Sequence, residues 1–145
     1  MASLVGTWKL VDWTASVGDR IQRPFNGAAT GRLTYTGDGY MWATLMRKDR
    51  PPVSAASLAG ATATERAAVA AGYLNYAGTY TVFDHRVVHH VQLSLLPNWV
   101  GADQTRIVSW IGDDLELSTE PETGRSGEPI VNRLRWRRLL QGRPR

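Results

Sequence analysis

The sequence predicts an all-β protein: an eight-stranded antiparallel up-and-down barrel with one short helix at its open end, in a single domain spanning residues 1–145. Three observations predict it. First, apolar residues recur at every second position over most of the chain. Between 86 and 95, for example, Val87, His89, Val91, Leu93 and Leu95 alternate with Val88, His90, Gln92 and Ser94, the signature of a strand with one buried face. Second, the connections alternate in length: long at 16–30, short at 37–38, long at 47–76, short at 84–85, medium at 96–103, short at 112–114 and long at 120–129. In a meander successive connections fall at opposite ends, so the long ones gather at a mouth and the tight turns at a base. Closing such a meander removes its unpaired edges. Third, helical patterning is confined to one Ala-rich run.

The elements follow in order. Residues 4–14, L-V-G-T-W-K-L-V-D-W-T, read as a first strand whose parity puts Trp8, Leu10, Asp12 and Thr14 on one face. The Gly- and Pro-bearing segment 16–30 is a loop. Strands at 31–36 and 40–46 flank T-G-D-G, a short hairpin signal. A two-residue turn there puts Tyr40 and Trp42 inside, and a three-residue turn puts Met41, Ala43 and Leu45 inside. Thr62-Ala-Thr-Glu65 has the spacing of a capping box, opening a helix to about residue 74 with Val69, Tyr73 and Tyr76 as its buried stripe. This helix lies at the mouth, as a lid would. Strands are then expected at 77–83, 86–95, 104–111, 115–119 and 130–139.

Size and composition bound the function. A chain of 145 residues buries one core. No apolar run approaches the ~20 residues of a membrane span, and the first residues resemble no signal peptide. With no cysteine, disulfide and thiolate chemistry are absent, and a cytoplasmic location is the default. The charge of +4 and the pI near 9.8 raise nucleic acid as a partner. Much of the excess lies in Arg133, Arg135, Arg137, Arg138, Arg143 and Arg145, where the first three alternate with Leu134 and Trp136 as the solvated face of a strand would. No nucleic-acid motif accompanies them, so neither nucleic acid nor membrane is expected as a partner.

Two polar residues face the core. A two-residue turn at Asp84-His85 sets Tyr80 opposite His89, with Cβ atoms about 5 Å apart. His89 is then either a neutral core histidine held by Tyr80 or a general acid or base oriented by Tyr80. Arg106 shares a face with Val108 and Trp110. Expected near Leu93 and close to the mouth, it either pairs with Asp12 or binds a carboxylate, enolate or carbonyl oxygen of a ligand. The catalytic candidates are therefore His89, Tyr80, Arg106 and Asp12. Tyr35, Trp42, Leu93, Trp99, Val108 and Trp110 are candidate ligand contacts, Trp99 because it sits at the mouth corner. Metal is not expected: His89 and His90 point to opposite faces and His85 lies in a basal turn, so three donors do not converge. No nucleophile elbow or Gly-rich phosphate loop is present, and no cofactor is expected.

Gly6 and Trp8 in L-V-G-T-W-K-L form the Gly-x-Trp of lipocalin first strands, and L-R-W-R-R supplies Trp136 and Arg138 near the end. With G-R-L-T-Y-T-G-D-G-Y-M, Y-A-G-T-Y, V-V-H-H-V, L-P-N-W-V-G and D-D-L-E-L-S-T in order, residues 4–139 resemble the small bacterial lipocalin-like domain family. The resemblance implies an eight-stranded calycin-type barrel around a pocket for a small apolar molecule, with Arg138 packed over Trp8 at the closed base. It departs at Asp12 and Thr14, where Ser and Glu are expected, which alters the polarity of that rim. It fixes no activity, since one fold hosts many functions. The polar cluster Asp12, Tyr35, Tyr80, His89 and Arg106 favours an enzyme, and the resemblance, to a family that includes biosynthetic enzymes, implies natural product biosynthesis. Such an enzyme would fold a mostly apolar, oxygenated substrate, such as a polyketide-like intermediate, and promote cofactor-independent cyclisation or isomerisation by acid/base catalysis. The alternative is a non-catalytic carrier or sensor of such molecules, monomeric or homodimeric.

Overall fold

The structure, a computed structural model, describes residues 3–124 and 126–140. Arg143 and Arg145 of the basic C-terminus lie outside them. The strands are β1 (Gly6–Val17), β2 (Arg20–Gln22), β3 (Ala29–Tyr35), β4 (Tyr40–Arg47), β5 (Tyr73–Phe83), β6 (Arg86–Ser94), β7 (Asp103–Ile111), β8 (Asp114–Ser118), β9 (Glu122–Thr123) and β10 (Pro129–Arg138), with α1 (Ala63–Ala71) between β4 and β5. Hydrogen bonding runs β2-β1-β3-β4-β5-β6-β7-β8-β10-β9, and β1 also pairs with β10. Eight antiparallel strands thus close into a barrel, and the short β2 and β9 extend it at the mouth.

The tight turns define the base. Thr36 and Tyr40 close a three-residue loop, with Thr36 N donating to Tyr40 O at 2.8 Å and Gly39 at φ 98°. Met41 and Leu45 therefore point inward and Trp42 outward, which settles the parity of that strand. At the other end of the connection, α1 carries both halves of its capping box, between Thr62 and Glu65. It stops at Gly72, and Tyr73 already belongs to β5. The expectation of a helix carrying Tyr73 and Tyr76 is thereby corrected: pairing of Tyr73 and Tyr76 with Met46 and Ala43 overrides their helical spacing. None of the helix residues is buried.

Two irregularities turn the inward pattern over. In β1 the register against β10 shifts between Leu10 and Asp12. One extra residue reverses every later side chain, so Trp13 turns inward and Asp12 to solvent. In β6, Ala77 pairs with Leu93 but Gly78 with Val91, so Gln92 is the extra residue and Leu93 is 68% exposed.

The basal half of the barrel is filled by Trp8, Leu33, Tyr35, Met41, Val87, Val108 and Leu115. Arg138 lies 4.1 Å from the Trp8 ring centroid, as the resemblance implied, and donates to the carbonyls of Val5 and Ser3. Arg135 and Arg137 both pair with the Asp114 carboxylate, at 2.7 and 3.0 Å. Part of the C-terminal positive charge is thereby neutralised within the sheet.

Candidate functional site

Above the basal plug the barrel is hollow. A cavity of about 250 Å³ opens toward the mouth, walled by Leu45, Leu74, Leu117 and Leu134 among apolar residues. Polar groups reach it from Tyr76, His89, Gln104, Arg106, Thr119, Glu122 and Asn132. This is slightly below the ~300 Å³ at which pockets for drug-sized ligands begin, so it fits a compact molecule.

His89 is the centre of the floor. It stands on β6, 1% exposed, and both ring nitrogens are engaged: Nε2 by the Tyr35 hydroxyl and Nδ1 by the Tyr76 hydroxyl, each at 2.6 Å. Tyr35 comes from β3 on the basal side, and Tyr76 from β5 on the cavity wall. Burial, and secondarily the nearby Arg106 charge, pushes the His89 pKa down to about 3, so the imidazole is neutral. Burial likewise raises both phenols above their ordinary value.

Tyr80 does stand opposite His89 in the ladder, but its hydroxyl is not the histidine's partner. It donates to the Thr36 carbonyl at 2.7 Å, and its ring packs edge-on against Tyr35 with centroids 4.8 Å apart. Cross-strand adjacency fixed the backbone position, whereas the long phenol leans along the strand toward the basal turn.

Arg106 pairs across the ladder with Val87 rather than lying near Leu93. The reason is the connection: Val91 bonds to Gly101 and Ala102, so the chain makes a long excursion through 92–100 before β7 begins. Arg106 is therefore not confined to the mouth, and it lines one cavity with His89. Nor does Arg106 meet Asp12, which the β1 bulge sends outward to pair with Arg23 at 3.3 Å. The Arg106 guanidinium donates to the Thr105 carbonyl and to Gln104 Oε1. Among the described residues it forms no ion pair, which leaves a half-buried cation facing a largely apolar space.

Of the candidate ligand contacts, Trp99 lines the cavity, standing edge-on to Tyr76 with centroids 5.8 Å apart. Tyr35 and Val108 belong to the basal core, and Trp110 packs against Trp8. Trp42 and Leu93 face outward for the turn and bulge reasons given above. Sequence reasoning missed Tyr76, assigned to the helix, and Trp13, whose parity the bulge reverses. Gln104 had a visible signal, since it shares the parity of Arg106.

Thr81, His90 and Asp103 form a second relay on the outer wall, with Oγ1–Nε2 at 3.0 Å and Nδ1–Oδ1 at 2.8 Å. Its connectivity is that of a hydrolase triad, but none of the three residues lines the barrel cavity. Among the described residues, no group of three His, Asp or Glu side chains is placed to hold a metal. No helix of the described residues is long and apolar enough to cross a membrane.

The sequence profile of the lipocalin-like domain family matches residues 5–139. The 4'-hydroxy-3'-methoxypropiophenone carrier protein of Aspergillus oryzae is 37% identical over 107 residues, covering 68% of this chain and 96% of the relative. Among solved structures, a lipocalin-like protein from Bacteroides uniformis is 14% identical with TM-score 0.47, over 94% of this chain and 98% of the other. An uncharacterized protein from Bacteroides eggerthii is 13% identical with TM-score 0.47, over 94% and 100%.

Proposed function

Because the chain belongs to the lipocalin-like domain family, we propose that its barrel is a binding site for a compact, mostly apolar, oxygenated small molecule, of the aryl alkyl ketone type, and that the protein acts as its carrier. One observation supports carriage above catalysis. Both nitrogens of His89 are already bonded to phenols and its pKa lies near 3, so the floor offers a fixed neutral ring instead of a free base. Arg106, which lines the cavity and pairs with no carboxylate among the described residues, supplies a donor fork for a ligand oxygen. The ketone named for the fungal relative, a single ring bearing a three-carbon acyl chain, has the size and polarity the cavity favours.

A second reading keeps the enzyme, and a specific feature favours it. The Arg106 guanidinium beside a ligand carbonyl would stabilise an enolate, the intermediate of cyclisation and isomerisation α to a ketone, with the α proton passing to the Glu122 carboxylate that lines the same cavity. One experiment addresses both. Titration with 4'-hydroxy-3'-methoxypropiophenone, followed by quenching of the cavity tryptophans Trp13, Trp99 and Trp136, is expected to saturate, and Arg106→Gln to weaken binding about tenfold. The same sample in D2O is then watched by NMR for exchange at the α carbon. Binding without exchange is the carrier, and exchange lost in Arg106→Gln is the enzyme. Absence of saturable binding removes both.

A further inference from the structure

The geometry points to Tyr76 as the hydroxyl donor that selects a carbonyl oxygen in the cavity, with Tyr35 setting it in that role through His89. This rests on the cavity being the ligand site. A neutral imidazole has one N–H donor and one acceptor nitrogen. His89 has a phenol at 2.6 Å from each. One phenol must therefore donate and the other accept.

The surroundings decide which. Tyr35 is 1% exposed, lies in the basal plug and has His89 Nε2 as its hydroxyl partner. Were it to accept from Nε2–H, its own proton would have no acceptor among the hydrogen bonds of the described residues, an unsatisfied buried donor. Tyr76 stands on the cavity wall, where a ligand or water can take its proton. Tyr35 therefore donates to Nε2, the imidazole proton sits on Nδ1, and Tyr76 accepts from it. The Tyr76 O–H is left over and is directed at the cavity.

The consequence is two donors, the Tyr76 hydroxyl and the Arg106 guanidinium, in a cavity whose lining also holds the Glu122 carboxylate. Arg106 has no acceptor atoms, and the Gln104 oxygen beside it is already taken by the guanidinium. A ligand with a carbonyl or enolate oxygen there satisfies both the phenol and the guanidinium. A ligand without one leaves them unpaired, which is the situation in which polar sites discriminate strongly. Tyr35 and His89 are positioning residues in this scheme, since they act through Tyr76.

The test compares an aryl alkyl ketone with the analogue whose carbonyl is replaced by CH2. Wild type is expected to bind the ketone at least tenfold more tightly and to shift its carbonyl stretch to lower frequency. Tyr76→Phe should lose about tenfold in ketone affinity, leave the CH2 analogue unchanged and release the carbonyl shift. Tyr35→Phe, which removes no cavity atom, should lose part of the same selectivity. In 15N-labelled wild type, needing no variant to fold, the His89 proton is expected on Nδ1. A proton on Nε2, or equal ketone affinity and an unshifted carbonyl in wild type and Tyr76→Phe, overturns the inference. If neither compound binds wild type, the cavity reading falls with the carbonyl half of the inference, and the nitrogen shifts still decide the tautomer.

Discussion

His89 couples the core to pH in a direction that follows from its burial. Folded, it titrates near 3; unfolded, near its ordinary 6.5. Between those values the unfolded chain binds a proton that the folded chain does not, so acid favours unfolding. The stability contributed by the neutral ring is complete above about pH 7 and is lost as pH falls from there toward 3, with a slope approaching about 1.4 kcal/mol per pH unit. The Asp114 carboxylate, held below its usual range by Arg137 and Arg135, acts in the same direction but only at the acid end, below about pH 4. Glu65, held at about 2 by hydrogen bonds from Thr62 and Ser54, acts in that direction too, below about pH 5. Urea unfolding at pH 7.5, 7, 6 and 5.5 therefore isolates the histidine. Wild type should show the slope and His89→Gln should lack it; equal slopes would mean that His89 is not buried in neutral form.

At the scale of elements, the strands, the tight turns, the capping box and the split between a turn-rich base and a loop-rich mouth were all legible in the chain, because each depends on local pattern. The two bulges were not. Val11 and Gln92 sit in alternations that read well with or without them, yet each reverses the parity beyond it, and Asp12 and Leu93 left the cavity for that reason. The hydrogen bonds of His89 were illegible for a different reason. Tyr35 lies two strands beyond Tyr76 around the barrel, and a contact made across the interior by long side chains leaves no mark in sequence spacing. Helix length misled as well, since Tyr73 and Tyr76 satisfy a helical period while strand pairing claims them. The β5–β6 bulge itself depends on Gly78. A Cβ there would stand 1.9 Å from the His90 carbonyl oxygen, and that oxygen belongs to backbone which cannot yield without disturbing the ladder. Gly78→Ala should cost about 3 kcal/mol by chemical denaturation, the upper range for overpacking. A cost under about 0.5 kcal/mol would mean that the bulge rearranges freely.

The whole molecule divides its tasks along the barrel axis. The base closes β1 onto β10, where Gly6 at φ 137° leaves no room for a Cβ beside the Arg138 guanidinium and Leu139 N donates to the Thr7 carbonyl. Arg138 over Trp8 contributes about 0.5–2 kcal/mol as a cation over an indole, with two carbonyl bonds added. Nothing in this basal arrangement touches the cavity. Arg106, by contrast, faces the cavity and pairs with no carboxylate among the described residues, so its removal should take little from stability. The two arginines should therefore separate cleanly. Arg138→Met is expected to lose about 1–2 kcal/mol of unfolding free energy, mainly from the ring contact, while keeping the wild-type Kd for an aryl ketone. Arg106→Gln is expected to keep its stability and weaken binding. Thermal unfolding with and without ketone reads both at once: at a ligand concentration of 100 Kd the folded state gains about 2.7 kcal/mol. Wild type and Arg138→Met should show that same gain from different starting points. At the identical ligand concentration Arg106→Gln, with a tenfold higher Kd, should gain only about 1.4 kcal/mol. A reduced gain in Arg138→Met would show that base and mouth are energetically coupled, and the division by depth would then be wrong.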